Sequence, residues 1–207
     1  MPVLDAAPEF AKAAAGDGIV LAAQQTFDWF TEAGHRGLET AAMNRRDPAL
    51  RDPVTAAVEV LRTIYSRLGG DDVVMRSLRM NLVLTVDLVH EASGTVIELD
   101  EAKHFTSFRL TALDLYPPGA PVHFDLDEYR ELCREWSSKS DNLDRAFAAK
   151  GFGFGGRPRE RAYRDALLDL GAPAMGLPPV VRVPATDGDG AAAYAREREA
   201  LQELLGT

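Results

Sequence analysis

The sequence predicts a mixed α/β fold, a small central sheet with helices packed around it. Three observations lead there. Residues 53–68 repeat apolar side chains at helical spacing between a proline start and a double-glycine stop. Residues 81–99 hold two apolar, β-branched runs on either side of Ser93-Gly94, the pattern of a β-hairpin. Helical segments lie on both sides of that hairpin, with one further short strand, so the order is helices, hairpin, helices, strand, helix.

Residues 19–33 carry Ile19, Leu21, Ala22, Phe27, Trp29 and Phe30 and end at Gly34, a helix-stopping residue, so a helix is expected there and residues 1–50 are expected to form an N-terminal helical extension. In the next helix Asp52 is the expected cap and Pro53 the first residue, and Val54, Ala57, Val58, Leu61, Ile64, Tyr65 and Leu68 form its buried stripe before Gly69-Gly70. Residues 72–80 are expected to extend or precede the first hairpin strand. After the hairpin, residues 106–116 suit a short helix stopped by Pro117-Pro118. Residues 125–138 suit another, with Leu126, Tyr129, Leu132, Cys133 and Trp136 on one side. Pro158 opens a helix to Gly171, and residues 179–184 form a short strand. Asp187-Gly-Asp-Gly190 breaks the chain before a final helix, 191–205. The expected division is therefore 1–50, a core over 51–186, and a C-terminal helix over 187–207 packed on that core.

Composition narrows the function. The chain has 207 residues, 46% of them hydrophobic, enough for one full core. No apolar run approaches the ~20 residues of a membrane span. The N-terminus lacks a basic signal region, and a cytoplasmic location is expected. A single cysteine, Cys133, excludes an intramolecular disulfide and a cysteine-based zinc cluster. The net charge of −9 argues against nucleic-acid binding by the whole surface. The charge is uneven, however. Arg145, Lys150, Arg157, Arg159, Arg161 and Arg164 fall within twenty residues against one acid, Glu160, around the stretch Gly-Phe-Gly-Phe-Gly-Gly at 151–156. Such a loop can clamp a phosphate backbone and stack a base; equally, its phenylalanines can tuck into the core.

The hairpin holds the candidate chemistry. Asp87 interrupts its first strand, and Glu98 and Asp100 interrupt the second on the same face. With a two-residue Ser93-Gly94 turn, Asp87 stands opposite Asp100 and Glu98 lies on the diagonal. Three carboxylates among Val, Ile and Leu repel one another and desolvate badly unless a divalent cation compensates them. Lys103 and His104 at the strand end complete a set that suits a catalytic metal site. A solvated sheet face accounts for the same acids without a metal.

The run Val-Asp87-Leu, a turn, then Val-Ile-Glu98-Leu-Asp100-Glu101-Ala-Lys103-His104-Phe resembles the core of PD-(D/E)xK nucleases, in the branch of the very-short-patch repair endonucleases and their relatives. Arg161-Ala-Tyr-Arg164-Asp165-Ala-Leu-Leu-Asp169, followed by Val180-Val181-Arg182-Val183, fits the second half of that pattern, and the resemblance spans about residues 53–184. It implies a restriction-endonuclease-like core and a metal-dependent endonuclease, a hydrolase of nucleic acid, with DNA the expected polymer. Asp87, Glu98 and Asp100 would be the metal ligands, Lys103 or His104 the positive or proton-transferring group, and Mg²⁺ or Mn²⁺ the ion, since carboxylates suit these over zinc. Arg157, Arg159, Arg161 and Arg164 would grip the substrate backbone. Glu101-Ala-Lys103 offers a second register for the acid–lysine motif, although Glu101 faces away from Glu98 unless a bulge intervenes. Arg182 suits an ion partner for one of the acids. The C-terminal helix, with Leu201, Leu204 and Leu205, offers a face for a homodimer. Two other functions fit the composition: a non-catalytic binding or assembly module on a nuclease fold, and an acidic helical scaffold with no metal.

Overall fold

The computed structural model of the chain describes residues 6–206. Helix α1 (Ala6–Gly16) leads into β1 (Leu21–Ala23) and β2 (Thr26–Thr31), followed by α2 (His35–Arg45), α3 (Arg51–Arg67) and α4 (Asp72–Ser77). Strands β3 (Val83–Thr85), β4 (Leu88–His90) and β5 (Thr95–Asp100) come next, then α5 (Ser107–Leu113), α6 (Leu126–Ser140), α7 (Arg157–Ala174), β6 (Val181–Pro184) and α8 (Gly190–Leu205). The fold is mixed α/β. A four-stranded sheet runs β1-β4-β5-β6, antiparallel except for the parallel β5–β6 pair, and β2 and β3 form a separate antiparallel ribbon.

The two faces of the central sheet follow from strand alternation. Leu88, Ile97, Leu99, Val181 and Val183 pack with Phe10 and Ala14 of α1 and with Ala193, Tyr194 and Leu201 of α8. Val89 and Val96 point the other way, into a larger core with Leu61 and Ile64 of α3, Leu113 of α5, Tyr129 of α6 and Leu167 of α7. The sheet is the middle of three layers. Among the described residues no helix is long and apolar enough to cross a membrane.

Helices α5 to α8 begin within a residue of where the sequence places them, whereas α3 begins at Arg51, with Leu50 at its N-cap and the expected cap Asp52 inside its first turn. Asp125 accepts from the Asp127 and Glu128 amides to cap α6, and Thr106 accepts from Arg109 to cap α5. Asp189 does the same for α8. Two segments differ from expectation. Residues 19–33 are not helical: they contain β1 and β2, and β1 pairs with β4 in the sheet that carries the candidate site. The Thr-Phe-Asp-Trp-Phe-Thr run of β2 is aromatic and β-branched, and that preference wins over the apparent helical spacing. Residues 72–77, expected to extend or precede the first strand, are the short helix α4 ahead of it, capped by Asp71 accepting from Val73 and Val74.

The hairpin forms with a longer loop than a two-residue turn. Leu88 pairs with Ile97, Val89 with Val96 and His90 with Thr95, leaving residues 91–94 as the connection. The pairing shifts by two residues, so each side chain keeps its face while its partner changes.

Candidate active site

Continuing the hairpin register puts Asp87 beside Glu98, not opposite Asp100 as the shorter turn requires. The Asp87 amide donates to Glu98 Oε1 at 2.9 Å, and the Leu99 amide donates to Asp87 Oδ2 at 3.0 Å. On the other side of Glu98, the parallel register sets Arg182 of β6 as its cross-strand neighbour. Burial pushes the Glu98 carboxyl well above the ordinary carboxylate range, and the neighbouring Asp87 pushes it further, with Arg182 pulling the other way. Among the described residues Glu98 makes no ion pair. Glu98 is therefore poorly compensated by the described residues.

Asp100 has a different environment. Arg182 Nη1 donates to its two oxygens at 2.9 and 3.1 Å, while Arg182 Nε donates to Asp169 Oδ1 at 2.6 Å and Nη2 to the Asp165 carbonyl at 3.1 Å. Asp169 also accepts from Arg109 Nη2 at 2.8 Å and from the Tyr116 hydroxyl at 2.7 Å. Asp165 and Asp169 are four residues apart on α7, one turn, so both reach the sheet below. This is a buried ion network centred on Arg182, whose guanidinium burial alone would discharge but which Asp100, Asp169 and Asp165 hold firmly charged.

His104 joins the network to the surface. It ends a 3-10 turn, 102–104, that directly follows β5, and its Nδ1 lies 3.2 Å from Asp100 Oδ1 and 3.2 Å from Asp165 Oδ2. Both neighbours are acceptors when ionised, so a neutral ring would carry its proton on Nδ1 and its lone pair on Nε2. Burial opposes the charged form of Asp165, but His104 and Arg182 outweigh it and hold that carboxyl well below the usual range. Asp100, His104 and Asp165 offer ligand atoms all within 4.8 Å of one another and could hold a metal ion. Among the described residues the expected trio of Asp87, Glu98 and Asp100 does not form such a group: Asp100 turns to Arg182 and His104.

A cavity of about 190 Å³ opens beside this cluster, with Glu98, His104 and Asp165 on one wall. Arg157, Arg161 and Arg164 from the first turns of α7 line it as well, and Phe30, Leu84 and Leu168 supply the apolar part. Glu160 holds Arg157 and Arg164 through its two oxygens, each at 2.8 Å. Arg161 pairs with Asp144 and donates to the Lys103 carbonyl.

Two expected residues stand elsewhere. Lys103 does not reach back to the acids; its Nζ pairs with Glu101 at 2.6 Å, which also uses up the alternative acid–lysine motif. Arg159 does not line this cavity; its guanidinium donates to the Phe152 carbonyl at 2.9 Å. Arg182 is the ion partner the sequence suggests. Asp165, Asp169, Arg109 and Glu160 were not singled out for the site, although acids four apart on a helix otherwise rich in Ala and Leu mark a buried polar stripe.

Residues 63–203 match the model of a family of unknown function (DUF7255). The chain belongs to that family. No curated protein and no solved structure matches it. The DUF7255 segment holds Asp87, Glu98, Asp100, His104, Asp165 and Arg182 together, whereas β1 and β2 precede it and contribute Phe30 to the cavity.

Proposed function

We propose that the chain is a metal-dependent phosphodiesterase acting on nucleic acid, a nuclease of the kind its sequence resembles, with DNA as the expected substrate. One observation carries the reading: His104, held by Asp100 and Asp165, stands at the wall of a cavity that Glu98 and three arginines also line. An oriented imidazole beside acidic ligands and phosphate-sized cations is the equipment of phosphoryl chemistry.

The residues fit a hard divalent cation. Asp87 and Glu98 are neighbouring carboxylates, Glu98 being raised first by burial and then by Asp87, and their all-oxygen donors suit Mg²⁺ or Mn²⁺. Bound there, such an ion would supply positive charge to a phosphoryl oxygen. Asp87 is fixed by the Leu99 amide and Glu98 by the Asp87 amide, so the ligand oxygens are already oriented. His104 Nε2 would accept a proton from the attacking water, with Asp165 and Asp100 steadying the ring through Nδ1. Arg157, Arg161 and Arg164 would receive the substrate phosphates, exchanging part of their pairing with Glu160 and Asp144 for the phosphate oxygens.

A non-catalytic module on the same fold is the second reading, favoured by one fact: Arg182 satisfies Asp100 and Asp169 without any metal. The two separate on Mg²⁺ and Mn²⁺ titration calorimetry of wild type and Asp87→Ala, with plasmid nicking measured on the same samples. Binding and nicking lost together in the variant support the nuclease; a folded wild type that neither binds metal nor nicks supports the module.

A further inference from the structure

The glycine-rich stretch 151–156, in the loop between α6 and α7, treats its two phenylalanines oppositely. Phe152 is 6% exposed and packs on Tyr65 with ring centroids 4.9 Å apart, whereas Phe154 is 82% exposed. The loop that presents Phe154 is anchored. Ala149 and Gly153 exchange backbone hydrogen bonds at 3.0 and 2.9 Å, and Arg159 donates to the Phe152 carbonyl. Gly153 and Gly155, on either side of Phe154, have φ of +68° and +67°, a conformation that side-chain-bearing residues resist, and this turns the intervening ring outward. The ring borders a cavity of about 350 Å³ distinct from the acidic one, lined by Phe108, Phe154, Gly155, Arg145 and Arg159. Two aromatic rings and two guanidinium groups line it, with no acid among them.

We infer that this second cavity binds an unpaired nucleobase, stacked on Phe154 against the Phe108 side, with the flanking phosphates on Arg145 and Arg159. Aromatic faces supply stacking that every base can use, and arginine adds both charge and a cation–π contact. A base inside a duplex has no free face to offer, so the pocket selects single-stranded or locally opened nucleic acid. Its placement suits the same substrate as the acidic site. Phe108 follows His104 by four residues in sequence, and Arg159 lies between Arg157 and Arg161, which line the other cavity. The inference rests on the nucleic-acid part of the proposed function and not on hydrolysis.

The test is binding of the full chain to short oligonucleotides carrying 2-aminopurine, single-stranded and duplex, in EDTA so that no metal-dependent cleavage intervenes. Quenching of 2-aminopurine in the single strand and at least about tenfold weaker binding of the duplex are expected. Phe154→Ala, a surface change, should weaken single-strand binding by about 5- to 100-fold, while Phe154→Trp retains it. Arg145→Ala should lower the salt slope of binding by about one ion. Equal affinity for duplex and single strand, or wild-type affinity and quenching in Phe154→Ala, would overturn the inference. Quenched single-strand binding in a chain that never nicks plasmid leaves this pocket standing and removes only the hydrolytic reading.

Discussion

Arg182 Nη1 donates to both carboxylate oxygens of Asp100, and that pairing divides the acids of the sheet into two sets. Asp100 belongs to a protein-neutralised core that includes Asp165 and Asp169, while Glu98, raised by burial and by Asp87, makes no ion pair among the described residues. The first set ties β5, β6 and α7 together; the second is where the proposed cation would bind.

Removing the guanidinium should therefore act on stability first. Arg182→Leu leaves three buried carboxylates without their common counter-charge, and the loss should reach about 3–5 kcal/mol. Urea denaturation checks it: the midpoint of Arg182→Leu should fall sharply, and Arg182→Lys should recover only part, because one ammonium cannot reproduce the fork to Asp100 and Asp169. A midpoint unchanged in Arg182→Leu would show that the network contributes nothing net.

Glu98→Gln should show opposite signs with and without metal. The amide removes a carboxylate that burial and Asp87 both disfavour, so without divalent ions the variant should melt at or above the wild-type temperature near pH 7. Added Mg²⁺ or Mn²⁺ should raise the wild-type melting temperature by mass action and leave the variant unmoved. Thermal denaturation over a metal series reads both effects.

Substituting His104 separates proton transfer from metal binding. His104→Ala should lower plasmid nicking by about 10²–10⁴-fold. Calorimetric Mg²⁺ affinity should stay within a few-fold of wild type if Asp87 and Glu98 are the ligands. If the ion instead sits among Asp100, His104 and Asp165, affinity should fall together with nicking.

How much of this could be read from the chain depends on the range of each interaction. The shared face of Asp87, Glu98 and Asp100 was legible because alternation has a period of two, and the longer loop shifted the pairing by two. Their true partners were not, since the Glu91–Gly94 loop does not declare its length. Arg182 stood out as a lone charge in a Val-Val-Arg-Val strand, and its need for an acid followed from burial alone. Asp165 and Asp169 were visible as residues but not as a site, because only the packing of α7 on β6 brings them to Arg182. Strand β1 was missed for a similar reason: it is three residues long and pairs with β4, some sixty-five residues away, so no local pattern identifies it. The motif Gly-Phe-Gly-Phe is symmetric in sequence, and only the Tyr65 pocket decides which ring is buried.

The acid limb of stability should be set in part by His35. His35 is buried at the start of α2, its Nδ1 2.8 Å from the Tyr163 hydroxyl, and that hydroxyl also accepts from the His35 amide at 2.9 Å. Burial, with Arg62 adding to it, pulls its pKa from 6.5 down to about 4. A depressed histidine binds its proton in the unfolded chain before the folded one, so its contribution is complete above about pH 6.5 and is lost as the pH falls toward 4. The full span corresponds to roughly 3 kcal/mol at ~1.4 kcal/mol per pKa unit. Urea unfolding at a series of pH values should show this decline in wild type. In His35→Gln, which keeps a polar group near Tyr163 but cannot titrate, the slope between pH 6.5 and 4 should be shallower, whatever the variant's absolute stability. Parallel slopes in the two proteins would mean that His35 takes up its proton in the folded state as readily as in the unfolded chain.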